Sequence, residues 1–257
     1  MSDEQRRRTK LWVGVGSWML LAGAAGLAAG PAAPLVVRPA LAESGNEGGE
    51  GGEGGGGEDA EATPPEVLAA TIRAFLDASR DLATAGNTEG AGLQLDHADT
   101  YADAEPLEDI GGKAVGQAID ATHDALEKGD AAAVAAAYDA ADSSVTALKV
   151  PDEPAEVIVA LLLHATEEYG EAWRDGAIAE AAEYSGARSL YDEAAARFAA
   201  SEPALTAKDA ESTKAIADGL ARLKAAFPAT GLPSPAPKIG EVTVEVSKIE
   251  LAASRLR

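Results

Sequence analysis

The chain has 257 residues, with 43 Asp+Glu against 21 Lys+Arg, a formal net charge of −22, and no cysteine. Such a surface repels nucleic acid and anionic lipid and attracts cations or basic partners, although keeping an alanine-rich chain soluble is reason enough for most of the charge. The missing thiols exclude disulfides, thiolate metal sites, iron–sulfur clusters and cysteine nucleophiles, so any metal site must use His, Asp, Glu or Tyr, a donor set that suits iron, manganese, zinc or copper.

The N-terminus reads MSDEQRRRTK and then LWVGVGSWMLLAGAAGLAAG, a basic leader followed by an apolar stretch, and Ala40-Leu41-Ala42 offers a small-x-small cleavage site. Residues 1–42 are therefore expected to be a secretory signal cut after Ala42, which makes the protein periplasmic. Arg6-Arg7-Arg8 leaves twin-arginine export open, and the apolar stretch is long enough to stay as a membrane anchor if it is not cleaved. Residues 43–63, ESGNEGGEGGEGGGGEDAEAT, hold too little apolar area to dock and read as a disordered Gly/Glu-rich linker.

From residue 64 the pattern predicts a single all-α domain, 64–257, built as an up-and-down helical bundle. Pro64-Pro65 starts a helix with an apolar face of Val67, Leu68, Ile72, Phe75, Leu76 and Leu82, ending near Gly86. Gly92–Ala104 forms a shorter helix carrying Leu93, His97 and Tyr101 at steps of four, closed by Pro106. Lys113–Lys128 stops at Gly129, and Asp130 is an N-cap for a helix running to about Leu148. Pro151 and Pro154 introduce the next helix, which Gly176 breaks. Ile178–Ala200 follows, and Pro203 separates it from Thr206–Phe227. Residues 228–240 are a proline-rich connector. In EVTVEVSKIELAASRL, Val242, Val244 and Val246 alternate as in a strand, whereas Val242, Val246, Ile249 and Leu256 fit a helix. Helix is favoured, because no other segment offers a strand partner.

The stretch Leu161–Gly186 carries the chemistry. Val157, Leu161, His164, Glu168 and Ala172 share one helix face that is apolar at its start, which turns His164 and Glu168 inward. Glutamate is rarely buried unless paired or metal-bound. The short loop Trp173–Ala177 should return the chain antiparallel, bringing Glu168 level with Glu183 and Tyr184. Two carboxylates on facing helices with an imidazole one turn away suit a divalent ion, which offsets their repulsion. Two alternatives stay open: Glu167, Glu168 and Glu171 form a solvated acidic face, or Arg188 or Arg174 neutralises Glu168. His97 and Tyr101, one turn apart beside Asp96 and Asp99, are a second candidate, either functional or a satisfied boundary pair. His123 lies near a helix C-terminus, where terminal carbonyls are its expected partners, outside any site. No nucleophile elbow, phosphate loop, dinucleotide fingerprint or His-Glu-x-x-His pattern occurs.

The segment EEYGEAWRDGAIAEAAEYSGA resembles secreted helical-bundle proteins of Gram-negative bacteria, of uncharacterised function. Their pattern is matched here by Glu167, Glu168, Tyr169, Glu171, Ala172, Asp175, Gly176, Ile178, Glu183, Tyr184 and Ala187. His97 and Tyr101 are similar to a His-x-x-x-Tyr segment of the same proteins, with Ala98 standing where they carry proline. More distantly, the layout is similar to imelysin-like proteins and to the periplasmic helical domains associated with iron permeases, which also place a His-x-x-Glu on a bundle helix, as His164–Glu167 does. The Arg-Glu-x-x-Glu membrane helices of the permease itself are absent. The resemblance implies a secreted bundle with a metal role and supplies no activity.

The leading expectation is thus a periplasmic metal-binding protein, not an enzyme, accessory to metal uptake. Glu168 and Glu183 are the core ligands, His164 lies beside them, and His97 or Glu167 completes the shell, with iron or copper as the ion. A metal-transport protein is the candidate partner, and no nucleic acid is expected. The competing expectation is a non-catalytic structural or interaction module binding a basic partner.

Overall fold

A computed structural model describes residues 63–256, and they fold almost entirely into helices. The expected signal, and all of the expected linker but Thr63, lie outside the described residues. Helix α1 (Pro65–Thr84) begins at a proline in its first turn, as the Pro64-Pro65 pair leads one to expect. Helix α2 (Thr88–Ala102) starts earlier than its apolar pattern suggests, because the Asn87 side chain accepts from Gly90 N at 2.9 Å and supplies the N-cap. Pro106 sits in the first turn of a separate short helix, α3 (Glu105–Glu108). Helix α4 (Gly112–Lys128) ends on Gly129, which takes the left-handed conformation at φ 72°. Asp130 caps α5 (Ala131–Thr146) by accepting from Ala132 N and Ala133 N.

Helix α6 (Pro154–Ala172) is followed by a two-stranded antiparallel hairpin, β1 (Trp173–Arg174) and β2 (Ala177–Ile178), in which Trp173 pairs with Ile178. Its turn is Asp175-Gly176, both at positive φ (50° and 91°), the backbone that a two-residue hairpin loop requires. Ile178 therefore belongs to this hairpin, and α7 (Ala181–Lys208) starts after it.

Pro203 does not separate two helices as expected: it lies inside α7, which runs on to Lys208. A mid-helix proline leaves the carbonyl four residues earlier without its donor; that residue is Ala199, which is exposed, so water can take the bond. The break comes at Asp209, whose side chain accepts from Glu211 N and Ser212 N and opens α8 (Ala210–Leu223). Helix α9 (Ile239–Ala253) settles the ambiguous C-terminal segment: Val242, Val246 and Ile249 are buried while Val244 is 53% exposed, a division that a strand would not make.

The helices pair mainly as neighbours in sequence, α1 with α2, α4 with α5, α6 with α7 and α8 with α9. Helices α1 and α2 pack on the α6–α7 pair, α8 and α9 lie on its other flank, and α4 and α5 flank α2 and α1. Ala165, Ala172, Ala187 and Ala194 are buried along α6 and α7, which lets the two helices lie close. Three tyrosines from this pair donate to backbone carbonyls outside it: Tyr169 to Pro237 (2.8 Å), Tyr184 to Ala226 (3.1 Å) and Tyr191 to Leu220 (2.9 Å). They pack around Phe227, with ring centroids 5.0 to 6.5 Å away. Each such bond stabilises by about 1 kcal/mol net, beyond the apolar area the rings bury. On the other side, Ser79 Oγ donates to Ala91 O at 2.7 Å and lies 2.6 Å from the Tyr138 hydroxyl, tying α1 to α2 and α5. Among the described residues no helix is long and apolar enough to cross a membrane.

Candidate metal centre

The hairpin sets the register of the site. Glu168 precedes Trp173 by as many residues as Glu183 follows Ile178, and Trp173 and Ile178 stand opposite each other in the ladder. The two glutamates therefore come level on antiparallel helices. Helix α2 adds His97 from the side. One ligand atom from each of His97, Glu168 and Glu183 lies within 4.8 Å of the other two.

Glu168 is 8% exposed, and His97 and Glu183 are partly buried. Each residue carries a buried atom with no hydrogen-bond partner: His97 Nδ1, Glu168 Oε2 and Glu183 Oε2. Orphaned polar atoms of this kind are costly, and three in one place, from three helices, ask for a common partner. Burial pushes the carboxyls of Glu168 and Glu183 up to about 7. The Glu168 charge raises Glu183 further, nearby His97 opposes the rise at both, and Glu171 adds repulsion at both. The two carboxyls also share a hydrogen bond, which lowers Glu168 and raises Glu183, and they titrate as a pair, because ionising one disfavours ionising the other. No arginine is among the main charges acting on them. Arg188 pairs with Asp192 at 3.5 Å, and Arg174 donates to the carbonyls of Gly170, Glu171 and Trp173. The arrangement thus departs from a carboxylate neutralised by arginine.

The donors fit a divalent cation. Two carboxylates and an imidazole satisfy the preferences of first-row ions such as iron, zinc, copper or manganese, and the ion's charge removes both the repulsion and the three orphaned atoms.

His164 lies beside this cluster. Its Nε2 is 3.4 Å from Glu168 Oε1 and 3.3 Å from the Tyr101 hydroxyl, and burial lowers the pKa of its ring. Glu167 is exposed on the outer side of α6. Tyr101 and His97 share a face of α2, as their spacing suggests, and both meet Phe75 of α1. His123 is not seated on terminal carbonyls: its Nε2 is 3.3 Å from Asp96 Oδ1, across from α4 to α2, and outside the cluster.

Sequence reasoning passed over Phe75 and Gln94. The buried Phe75 ring meets His97, His164 and Tyr101 at centroid distances of 5.1, 5.3 and 5.9 Å and forms one wall of the site. Gln94, on the face of α2 that bears His97, donates from Nε2 to Ala182 O at 3.1 Å and so ties α2 to the start of α7. A glutamine one turn before the histidine, in an otherwise apolar row, was the available signal. Gly186 makes room for this contact, since a Cβ there would lie 2.7 Å from Gln94 Oε1 and 3.2 Å from Phe75 Cε1.

A family model for the iron permease-associated 4-helix bundle domain matches residues 144–256. That span covers helices α6 to α9, so it holds Glu168, Glu183 and His164, while His97 lies before it. Neither the curated proteins nor the solved structures contain a match to the chain. The chain is thus a helical bundle whose C-terminal four helices are similar to the iron permease-associated domain, with a His/Glu/Glu cluster able to coordinate a metal ion.

Proposed function

We propose that this protein is a periplasmic metal-binding bundle, accessory to metal uptake, with iron as its first ion and copper as the alternative. The observation that carries the reading is the meeting of three ligand groups, His97, Glu168 and Glu183, each with a buried atom that lacks a hydrogen-bond partner, in a place where no arginine or lysine is among the main charges acting on the carboxylates. The likeness to a domain associated with iron permeases supports the choice of iron. The mature domain runs from about residue 64, behind a cleaved signal (1–42) and a Gly/Glu-rich linker (43–63). Exposed Glu167 and Glu171 flank the buried ligands and draw cations toward them.

Because the ligands must lose their protons, binding strengthens as pH rises through about 7, and it releases protons. The test is metal content of protein purified from the periplasm, followed by anaerobic calorimetric titration of the stripped protein with Fe(II), Zn(II) and Cu(II). Saturable binding at one ion per chain, lost in Glu168→Gln and Glu183→Gln, supports the reading. A stripped protein indifferent to all three ions removes it.

A further inference from the structure

The two oxygens of Glu168 have different surroundings. Oε1 lies 3.4 Å from His164 Nε2, one helical turn away on α6, whereas Oε2 is buried with no hydrogen-bond partner. The His164 ring is itself held: it meets the Phe75 ring edge-on at 5.3 Å with an interplanar angle of 76°, and its Nε2 is 3.3 Å from the Tyr101 hydroxyl. His97 meets the same Phe75 ring at 5.1 Å, also at 76°. One buried phenyl ring thereby packs edge-on against both imidazoles.

We infer that His164 is a positioning residue: it holds Glu168 Oε1, leaves Oε2 as the single coordinating oxygen, and so selects first-row transition ions over calcium. This rests on the metal-binding reading above. An ionised carboxylate only accepts hydrogen bonds, so where His164 engages Oε1 it does so in the tautomer with the hydrogen on Nε2, in which the Tyr101 hydroxyl, 3.3 Å from the same nitrogen, does not donate to it. The lone pair of that nitrogen is then not available to a metal, and the imidazole ligand of the site is His97. With Oε1 engaged, Glu168 contributes one oxygen. Calcium takes six to eight oxygens, drawing one or two from each carboxylate, so every oxygen withdrawn counts against it, while imidazole-bearing sites with few oxygens suit iron, zinc and copper. Outer partners of this kind commonly govern metal affinity by 10- to 100-fold.

The experiment compares the parent with His164→Leu and His164→Gln, metal-stripped and titrated with Zn(II) and with Ca(II), and records pulsed electron paramagnetic resonance of the Cu(II)-loaded parent. His164→Leu keeps the apolar packing and removes the donor, so Zn(II) affinity is expected to fall by about 10- to 100-fold, with the preference over Ca(II) narrowing. His164→Gln offers an amide N–H at similar reach and should restore Zn(II) binding to within about threefold of the parent. The Cu(II) spectrum should show one coordinated imidazole. His164→Leu binding Zn(II) as tightly as the parent, or His164→Gln failing as badly as Leu, overturns the inference while leaving the metal site standing. Two coordinated imidazoles in the parent would make His164 a ligand and overturn it equally; that arm needs no variant, so it decides even if His164→Leu does not fold. A parent that binds none of the ions overturns the metal-binding reading itself.

Discussion

Replacing Glu168 by glutamine in the metal-free protein separates a metal-waiting carboxylate from a structural one by the sign of a stability change. The Glu168 carboxyl rises from an ordinary 4.5 to about 7 in the folded chain, mainly through burial. The fold therefore favours its neutral form. Its contribution is intact below pH 4.5 and is lost as pH rises through about 7. At 1.36 kcal/mol per pH unit, the interval corresponds to about 3 kcal/mol of stability lost by pH 8. Glutamine keeps the size and carries no charge to desolvate. It forfeits about 1 kcal/mol where its amide meets partners chosen for a carboxyl. The net expectation at pH 8 is a gain of about 2 kcal/mol, which for a domain of this size means a melting temperature higher by about 4–8 °C. At pH 4.5 the same variant should gain nothing. The assay is a pair of thermal melts, with chelator, at pH 4.5 and pH 8. A variant that loses stability at pH 8 would mean that a cation already neutralises Glu168, and an equal change at both pH values would mean that its charge is not desolvated; either refutes the reasoning.

The other expectations follow from separate contacts. Saturating the parent with a bound metal at 100 times its dissociation constant should raise stability by about 2.7 kcal/mol at pH 8 and far less at pH 5, where the carboxyls of Glu168 and Glu183 hold their protons; thermal shifts at the two pH values measure this. Gly219→Ala would place a Cβ 2.5 Å from Ile249 Cγ1 between α8 and α9, so overpacking should outweigh the better helix propensity and cost about 1–3 kcal/mol in urea unfolding. Tyr191→Phe removes the donor to Leu220 O and should cost about 1 kcal/mol without changing metal affinity. Asp130→Ala removes the cap of α5 and should cost about 1 kcal/mol, visible in the same unfolding curves.

Much of the helical layout was legible in the sequence, because caps and periodicity act locally. Pro65, Gly129 and Asp130 stand where their backbone chemistry places helix ends, and the split of Val242 and Val246 from Val244 follows the helical period of the last segment. Pro203 misled, since an exposed neighbouring carbonyl lets a helix tolerate proline, and exposure is a property of the packed molecule. Asp175-Gly176 carried a hairpin signal that reads locally as a mere break; its consequence, the levelling of Glu168 with Glu183, could be counted from the residues on either side.

The motif around that turn combined two roles that spacing alone does not separate. Tyr169 and Tyr184 reach away to the carbonyls of Pro237 and Ala226, while Glu168 and Glu183, next to them in sequence, turn toward each other. Sequence by itself determined that carboxylates would come level on a helical hairpin, with burial or a solvated acidic face both open, and that no thiol could serve beside them. Only the tertiary structure decided which imidazole faces them. His164, one turn from Glu168, was the near candidate, yet His97 arrives from α2 across a long stretch of chain because Phe75 and Gln94 set where α2 lies against α6 and α7. The physical reason is that helix periodicity assigns a residue to a face, whereas the neighbour that face meets depends on side-chain packing between segments distant in sequence.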